Sequence, residues 1–421
     1  MYLWKTIIPR FRSQKKIVLS VASSGIAALL LLGGRTSHSR FKIPFDLDES
    51  SRCPININSD LAQLIQATSL IIWDEAPMMH RHGFEAVNKT LKDLLKGAEN
   101  FSANKPFCGK LCVLGGDFKQ INMRLMAQAN STHSHDQLRS FAEWINLIGE
   151  GRARCLSFTD GGESDWIEIP EEFLIENSDN SLMQLINETY PKLSNKYNDC
   201  TYLKERAILT PKNSDVDEIN SMMLSMLPGE IHQFCSADIL CPGETSDHEQ
   251  NMNSPELLNS IKVSGIPNHC LELKKGAPIM LMRNLNQSLG LCNGTRLIVS
   301  KMGEKVLEAR VITGSHMGEE VLIPRIVLTT TQSQTFVPMK RRQFPIKLAF
   351  AMTINKSQGQ TLDRVGLYLP EPVFTHGQLY VALSRVTNPL GLRILICNKP
   401  GIPRNCKKNI LYPEVLAAIH E

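Results

Sequence analysis

Ser69-Leu70-Ile71-Ile72-Trp73-Asp74-Glu75-Ala76-Pro77 is the stretch on which the fold turns. An unbroken apolar run of strand length, with no polar alternation, reads as a strand buried on both faces, as in a parallel sheet. Two carboxylates stand at its C-terminal end, which is where open α/β sheets bind ligands. Asp74 is of the type that holds Mg²⁺ through water, and Glu75 of the type that orients or deprotonates an attacking water. The bland alternative is an acidic strand end that caps the next helix.

The pattern around this strand agrees with it. Ile17–Val21 and Lys110–Leu114 are two more short apolar runs, and Phe84, Val87, Leu91, Leu94 and Leu95 keep helical spacing between them. Strand, then helix, repeated, means a parallel sheet with crossover helices. A second series follows. Leu138, Phe141, Ile145 and Ile148 share one helical face. Ala207–Thr210 is a short strand, and Asn213 or Ser214 is expected to cap a helix carrying Val216, Ile219, Met223 and Leu227. From about 252 to 337, Pro, Gly, Asn and β-branched residues dominate, with alternation in Arg296–Ser300 and Val306–Thr313, so a small all-β unit is expected. A strand (Lys347–Met352) and a helix (Gly377–Val386) then restore the α/β rhythm. Residues 149–180 and 240–256 are polar enough to be long loops.

Three further segments carry chemistry. Gly115-Gly116-Asp117-Phe118-Lys119-Gln120 ends a strand with glycines that permit close backbone approach, and Gln120 has the donor and acceptor needed to sense a phosphate. Alone it would pass for a plain turn. Asn355-Lys356-Ser357-Gln358-Gly359-Gln360-Thr361 puts amides, hydroxyls and a cation within a few residues, a set suited to phosphate oxygens or to a polar strand–helix loop. Gln378 and Arg385, seven apart on the expected helix, share a face, from which an arginine can reach a γ-phosphate.

The chain has 421 residues, 42% hydrophobic and 21% charged, which fits two or three globular domains and excludes collagen, long disorder and a polytopic membrane protein. Its net charge is only +4, but the charge is unevenly spread. Residues 338–410 carry twelve Lys/Arg against Asp363 and Glu371, whereas residues 151–260 carry seven basic against twenty acidic residues. A basic C-terminal region is the footprint of a polyanion contact, or else a solubilising surface. The eleven scattered cysteines, with no C-x-x-C pair, read as thiols of a reducing compartment. Lys5, Arg10, Arg12, Lys15 and Lys16 before Ile17–Leu32 imitate a secretory signal, but Ser20, Ser23, Ser24 and Gly25 split that run into a strand and a helix.

Taken in order, these segments resemble the Pif-type DNA helicases of superfamily 1, in the eukaryotic branch associated with rolling-circle transposons. The matching stretches are Ala22-Ser-Ser-Gly-Ile-Ala-Ala28, Gly33-Gly-Arg-Thr-Ser-His-Ser-Arg-Phe41, Trp73-Asp-Glu-Ala-Pro77, Gly115-Gly-Asp-Phe-Lys-Gln120, Asn122-Met-Arg-Leu125, Leu291-Cys-Asn-Gly-Thr-Arg296, Thr353-Ile-Asn-Lys-Ser-Gln-Gly-Gln-Thr361 and Leu379-Tyr-Val-Ala-Leu-Ser-Arg385. The resemblance implies two RecA-like parallel-sheet motor domains, the first incomplete, with a small all-β insert in the second. The expected division is 1–121 for motor domain one, 122–251 and 338–421 for motor domain two, and 252–337 for the insert.

It also implies ATP hydrolysis with Mg²⁺, coupled to 5′-to-3′ movement on single-stranded DNA and at duplex/single-strand junctions. Asp74 and Glu75 then resemble the Mg²⁺ and water-activating pair, Gln120 the γ-phosphate sensor, and Arg124 and Arg385 the arginines that neutralise the departing phosphoryl group. Gly359 and Gln378 join the ATP set. Ser23, Gly25, Thr36, His38, Lys356 and Ser357 look like the strand-tracking set, gripping phosphates with little sequence preference. No membrane association is expected. The family's setting is nuclear, with mitochondrial DNA also compatible, in repair, recombination, telomere upkeep or transposition.

Two departures stand out. The family's Gly-rich phosphate loop precedes a segment like Tyr2-Leu3-Trp4-Lys5-Thr6, and no such loop stands before it here. Gln120 and Arg124 are only four positions apart, about 14 Å at full extension, where the family has a long intervening stretch. The expectation is a truncated or decayed copy that binds ATP poorly. A helicase and a catalytically inactive single-stranded-DNA-binding remnant therefore stand as competing readings.

Overall fold

The computed structural model describes residues 2–23, 25–44, 47–76, 79–96, 101–102, 104–116, 132–153, 155–156, 166–241, 254–263, 265–287, 289–314, 316–330, 338–374, 377–397 and 402–410. The chain divides into two compact units, Met1–Asp117 with Asn284–Asn293, and Phe118–Arg283 with Gly294–Glu421.

The first unit is built on β1 (Ile17–Ala22), β2 (Arg35–Thr36), β3 (Thr68–Asp74) and β4 (Leu111–Leu114), all parallel, in the order β2-β1-β3-β4. Both faces of β3 are covered, which is why its sequence does not alternate. Leu70 and Ile72 pack with Val18 under Trp4 and Ile8 of α1 (Tyr2–Ser13). Ile71 and Trp73 pack with Leu19 and Val21 against Ile65 of α4 (Asp60–Ala67) and Val87 and Leu91 of α5 (Arg81–Leu94). Two short helices, α2 (Gly25–Leu30) and α3 (Ser37–Phe41), follow β1 and β2. The α4 cap is local: Ser59 accepts the Ala62 amide, with Asp60 in the first turn favouring the positive helix end.

Among the described residues, the second unit holds one parallel sheet and four antiparallel ones. In chain order its strands are β5 (Cys155–Leu156), β6 (Trp166–Glu168), β7 (Arg206–Thr210), β8 (His232–Cys235), β9 (Ala237–Leu240), β10 (Cys270–Leu273), β11 (Pro278–Leu281), β12 (Arg296–Met302), β13 (Val306–Val311) and β14 (Glu320–Pro324). These are followed by β15 (Ile326–Thr329), β16 (Met339–Gln343), β17 (Ile346–Leu348), β18 (Ala351–Thr353), β19 (Arg364–Leu369), β20 (Leu392–Ile396) and β21 (Cys406–Lys408). The parallel sheet runs β18-β7-β19-β20. One face packs Ile208, Ala351 and Leu395 on helices Ser181–Thr189 and Asn213–Met226, and the other packs Leu209, Met352 and Ile394 on helices Thr132–Gly149 and Gln378–Leu383. The antiparallel part comprises β14-β13-β12-β11-β17, β15-β16-β9 and the pair β10-β8, with a further small sheet β21-β6-β5. No helix among the described residues is long and apolar enough to cross a membrane.

Several sequence expectations change. The run Lys347–Met352 is not one strand. Ile346–Leu348 pairs antiparallel with β11, and Ala351–Thr353 pairs parallel with β7, so the chain passes from one sheet to the other across buried Ala349 and Phe350. Neither Asn213 nor Ser214 caps its helix. Both lie inside it, and Lys212 stands at the cap position with no side-chain cap bond. The helix expected over Gly377–Val386 covers only Gln378–Leu383, with Gly377 at its cap in the left-handed region (φ 67°), so Arg385 lies just past the helix end rather than on a shared face. The β-rich part reaches beyond 252–337 on both sides and contains the helix Pro255–Ser260. The 149–180 stretch, expected as loop, includes β5, β6 and the single helical turn Glu171–Phe173.

Candidate functional site

Asp74 is the last residue of β3 and is half-buried. Its Oδ1 accepts the Trp4 indole N–H at 3.2 Å, which holds the carboxylate toward α1. Glu75, the next residue, is buried and has φ 50°, in the left-handed region that side chains rarely occupy. Backbone strain of this kind gathers at sites where a side chain must be aimed. The neighbouring strand end fixes the turn: Gly115 N donates to Trp73 O at 2.7 Å, and Ala76 N donates to Gly115 O at 2.8 Å. A Cβ on Gly115 would lie 2.6 Å from Trp4 Cζ2 and 2.9 Å from Asp74 Oδ1. Close approach therefore is required of Gly115, but toward Trp4 and Asp74 of its own chain.

The residues read as strand-tracking in this unit have structural work of their own. Ser23 directly follows β1, where its amide donates to Asp74 O at 3.1 Å and its hydroxyl accepts the Trp73 indole N–H at 3.0 Å. Gly25 opens α2, and a Cβ there would meet Asn293 O at 3.2 Å. Thr36 caps α3 by accepting the Ser39 amide at 3.3 Å. His38 sits in that helix, half-buried, and burial holds its imidazole below the ordinary histidine value.

In the second unit, Lys356 and Ser357 lie in the single turn Ile354–Ser357 that follows β18. Ser357 is fully buried, and its hydroxyl donates to Ile354 O at 2.7 Å, which engages the side chain within the turn. Lys356 is exposed, yet its ammonium is held below the ordinary lysine value, first by the surrounding protein and then by the charges of Lys347 and Arg283. Lys347 is balanced in part by Asp217. Gly359 is exposed, has φ 77°, and a Cβ there would meet nothing within 4 Å, so this turn is open. Gln378 is buried. Its Oε1 accepts the Phe374 amide at 3.0 Å, and its Nε2 reaches Asn355 Oδ1 at 3.5 Å. Arg385 is buried as well, donating to Val381 O at 2.9 Å, Gln360 O at 3.3 Å and Ser384 Oγ at 2.6 Å. These bonds tie Lys356, Gln360, Gln378 and Arg385 into one polar group through the Ile354–Ser357 turn, since Gln360 Nε2 also donates to Lys356 O at 3.2 Å.

Gln120 and Arg124 lie outside the described residues. Sequence reasoning missed Trp4, which aims Asp74, and Lys347 and Arg283, which surround Lys356. It also missed the role of Arg296, which is fully buried and donates to the carbonyls of Lys204, Arg206 and Ala349 at 3.3, 3.1 and 3.0 Å. That side chain joins the start of β12 to the start of β7. No local spacing signals any of these contacts, because the partners are distant in sequence.

No group of three or more His, Cys, Asp or Glu among the described residues could cage a metal ion. Mg²⁺ does not need such a cage. It keeps several waters and takes one or two carboxylates plus substrate phosphates, and Asp74 with Glu75 supply the right oxygen type for that.

Residues 1–122 match the family described as PIF1-like helicase, and residues 256–302 match the DNA helicase Pif1 2B domain. The chain is similar to the ATP-dependent DNA helicase PIF1 of Xenopus laevis, at 29% identity over 397 residues, covering 94% of this chain and 56% of that protein. It is similar to the ATP-dependent DNA helicase PIF1 of Homo sapiens at 28% identity, covering 90% of this chain and 54% of that protein. The chain thus spans a little over half the length of these relatives. Among solved structures, the Pif1 helicase from Candida albicans superposes with a TM-score of 0.60 at 22% identity, covering 99% of this chain and 92% of that one. Bacteroides Pif1 bound to ssDNA gives 0.55 at 23% identity, covering 97% and 88%. These likenesses establish the fold, in which the two parallel sheets are those of RecA-like domains.

Proposed function

We propose that this chain, which belongs to the Pif1-like helicase family, is the motor part of an ATP-dependent DNA helicase that moves 5′-to-3′ on single-stranded DNA. The observation that carries this reading is the pair Asp74–Glu75 at the C-terminal end of β3, with Glu75 held in a strained backbone conformation and Asp74 aimed by Trp4. In this reading Asp74 and Glu75 hold Mg²⁺, largely through water, and the ion would neutralise charge on the transferred phosphates. Glu75 orients or deprotonates the attacking water. Gln120 senses the terminal phosphate, Arg124 and Arg385 stabilise charge on the departing phosphoryl group, and Gly359 and Gln378 complete the ATP contacts.

Ser23, Gly25, Thr36, His38, Lys356 and Ser357 track DNA phosphates. The mutual repulsion of Lys356, Lys347 and Arg283 supports this, because a phosphate placed among them relieves it. Residues 1–121 form motor domain one, 122–251 and 338–421 motor domain two, and 252–337 the β insert. The substrates are ATP, single-stranded DNA and duplex/single-strand junctions. Nuclear DNA repair, recombination or telomere maintenance is the setting to which this reading points.

The basic group around Lys356 also favours a second reading, a single-stranded-DNA-binding protein without turnover. One experiment separates the two: ATP hydrolysis measured with saturating single-stranded DNA, on the wild type and on Glu75→Gln. The motor reading expects DNA-stimulated turnover that falls at least a hundredfold in the variant while DNA binding persists. Salt-sensitive DNA binding with no turnover in either protein leaves only the second reading.

A further inference from the structure

Cys235 and Cys270 stand directly opposite each other on the antiparallel strands β8 and β10. The next pair along, Ser236 and His269, is joined by a backbone bond from Ser236 N to His269 O at 2.8 Å. Hydrogen-bonded and non-hydrogen-bonded pairs alternate along an antiparallel ladder, so the two cysteines occupy a non-hydrogen-bonded position. There the Cα atoms are about 4.5 Å apart and the side chains are at their closest, within the range a disulfide spans. The next residues on the same face, Gln233 and Glu272, are in side-chain contact at 2.9 Å, as this register requires. The Cys270 thiol is within hydrogen-bonding reach of Cys235, and both cysteines are exposed.

Cross-strand opposition and exposure set these two thiols apart from the protein's other, scattered cysteines. We propose that Cys235 and Cys270 form a reversible disulfide, a peroxide-responsive modification site on the β-rich part of the chain. One thiolate attacks a peroxide oxygen, and the O–O bond breaks. Hydroxide leaves, takes up a proton and becomes water, and the sulfur is left as a sulfenic acid. The second sulfur attacks the first. The S–S bond forms, the S–O bond breaks, and the expelled hydroxide takes the second thiol's proton to give another water. Two sulfurs are oxidised and the two peroxide oxygens are reduced. A dithiol reductant reverses the step by thiol–disulfide exchange.

The link closes the excursion 236–269. In the reduced protein that excursion is held by Arg341, which is fully buried. It pairs with Asp238 at 2.6 Å and donates to the carbonyls of Leu258, Ile261 and Pro267 at 2.9, 3.1 and 3.0 Å. The disulfide adds a covalent closure to a segment that Arg341 and the pairing of β9 with β16 already hold.

The test treats the purified chain with hydrogen peroxide, blocks free thiols with an alkylating reagent, and maps the digest by mass spectrometry. The expected product is a cross-linked peptide joining Cys235 to Cys270, two hydrogens lighter than the sum of its parts and released by dithiothreitol. Oxidised wild type should melt several degrees above the reduced form, and Cys235→Ser and Cys270→Ser should each lose both the cross-link and the shift. Full alkylation of both thiols after peroxide, or their conversion to sulfinic acids without a cross-link, overturns the proposal. So does a melting shift that survives in both serine variants.

Discussion

The Trp73 indole donates to the Ser23 hydroxyl at 3.0 Å, across the two adjacent strand ends that carry the carboxylates and the first strand-tracking residue. β1 and β3 are in register at Ala22 and Asp74, so the bond locks these ends one residue beyond the ladder. Any motion of Ser23 is therefore felt at Asp74, whose carbonyl accepts the Ser23 amide.

Replacing Ser23 by alanine leaves the fully buried Trp73 N–H without its acceptor. The expected loss is about 1–3 kcal/mol of folding stability. The double change with Trp73→Phe, which removes the donor as well, should cost less than the sum of the two single changes. Urea unfolding of the four proteins measures this. Strict additivity would mean that the bond contributes nothing.

Gly115→Ala places a methyl 2.6 Å from Trp4 Cζ2 and 2.9 Å from Asp74 Oδ1. Something must move, at a cost of about 1–3 kcal/mol. Trp4→Phe shortens the obstructing ring system and should recover part of that stability, with thermal melting as the readout. A Gly115→Ala protein as stable as the wild type would show that the strand end is looser than described.

Glu75 has φ 50°, and glycine tolerates that conformation where alanine does not. Both substitutions delete the carboxylate and its contacts equally. Glu75→Gly is therefore expected to be more stable than Glu75→Ala by roughly 1 kcal/mol, the reverse of the usual order in regular structure. Chemical denaturation of the two variants decides. If alanine is the more stable, Glu75 does not sit in the left-handed region.

Lys407 is buried, donates to Leu369 O at 2.8 Å, and burial pushes its ammonium down to about 8. Below that value both folded and unfolded chains carry the charge, and the folded chain bears its desolvation cost. As pH rises from about 8 toward the ordinary lysine value of roughly 10.4, the folded chain sheds the proton first, so stability rises through this window. The full effect is on the order of 3 kcal/mol. Lys407→Met should flatten that part of the pH profile, which melting temperatures between pH 7 and 10 would reveal as roughly constant.

Much of the architecture was legible from pattern alone. Thr68–Asp74 and Arg206–Thr210 are strands buried on both faces, and such strands advertise themselves as unbroken apolar runs. Leu138, Phe141, Ile145 and Ile148 are all buried on one side of their helix, as their spacing requires. Lys347–Met352 misled for a physical reason. An apolar run reports burial, but it does not say that its two halves pair with different sheets. Asn213 and Ser214 misled because cap preference is a local tendency, and here the cap position falls one residue earlier, on Lys212. Arg385 was expected on a helical face, but its backbone leaves the helix at Ser384, and its side chain is held by Val381, Ser384 and Gln360 instead.

By itself, the sequence determined where the unbroken apolar strands and the amphipathic helices lie and which end of β3 carries the acids, because periodicity and chain direction are local properties. Only the tertiary structure decided that Trp4 aims Asp74, that Glu75 is strained, that Arg296 and Arg341 are buried among carbonyls, and that Cys235 meets Cys270. Each of these joins residues far apart in the chain or depends on a backbone angle set by packing. Their energies come from burial and close contact, which exist only once the strands have paired.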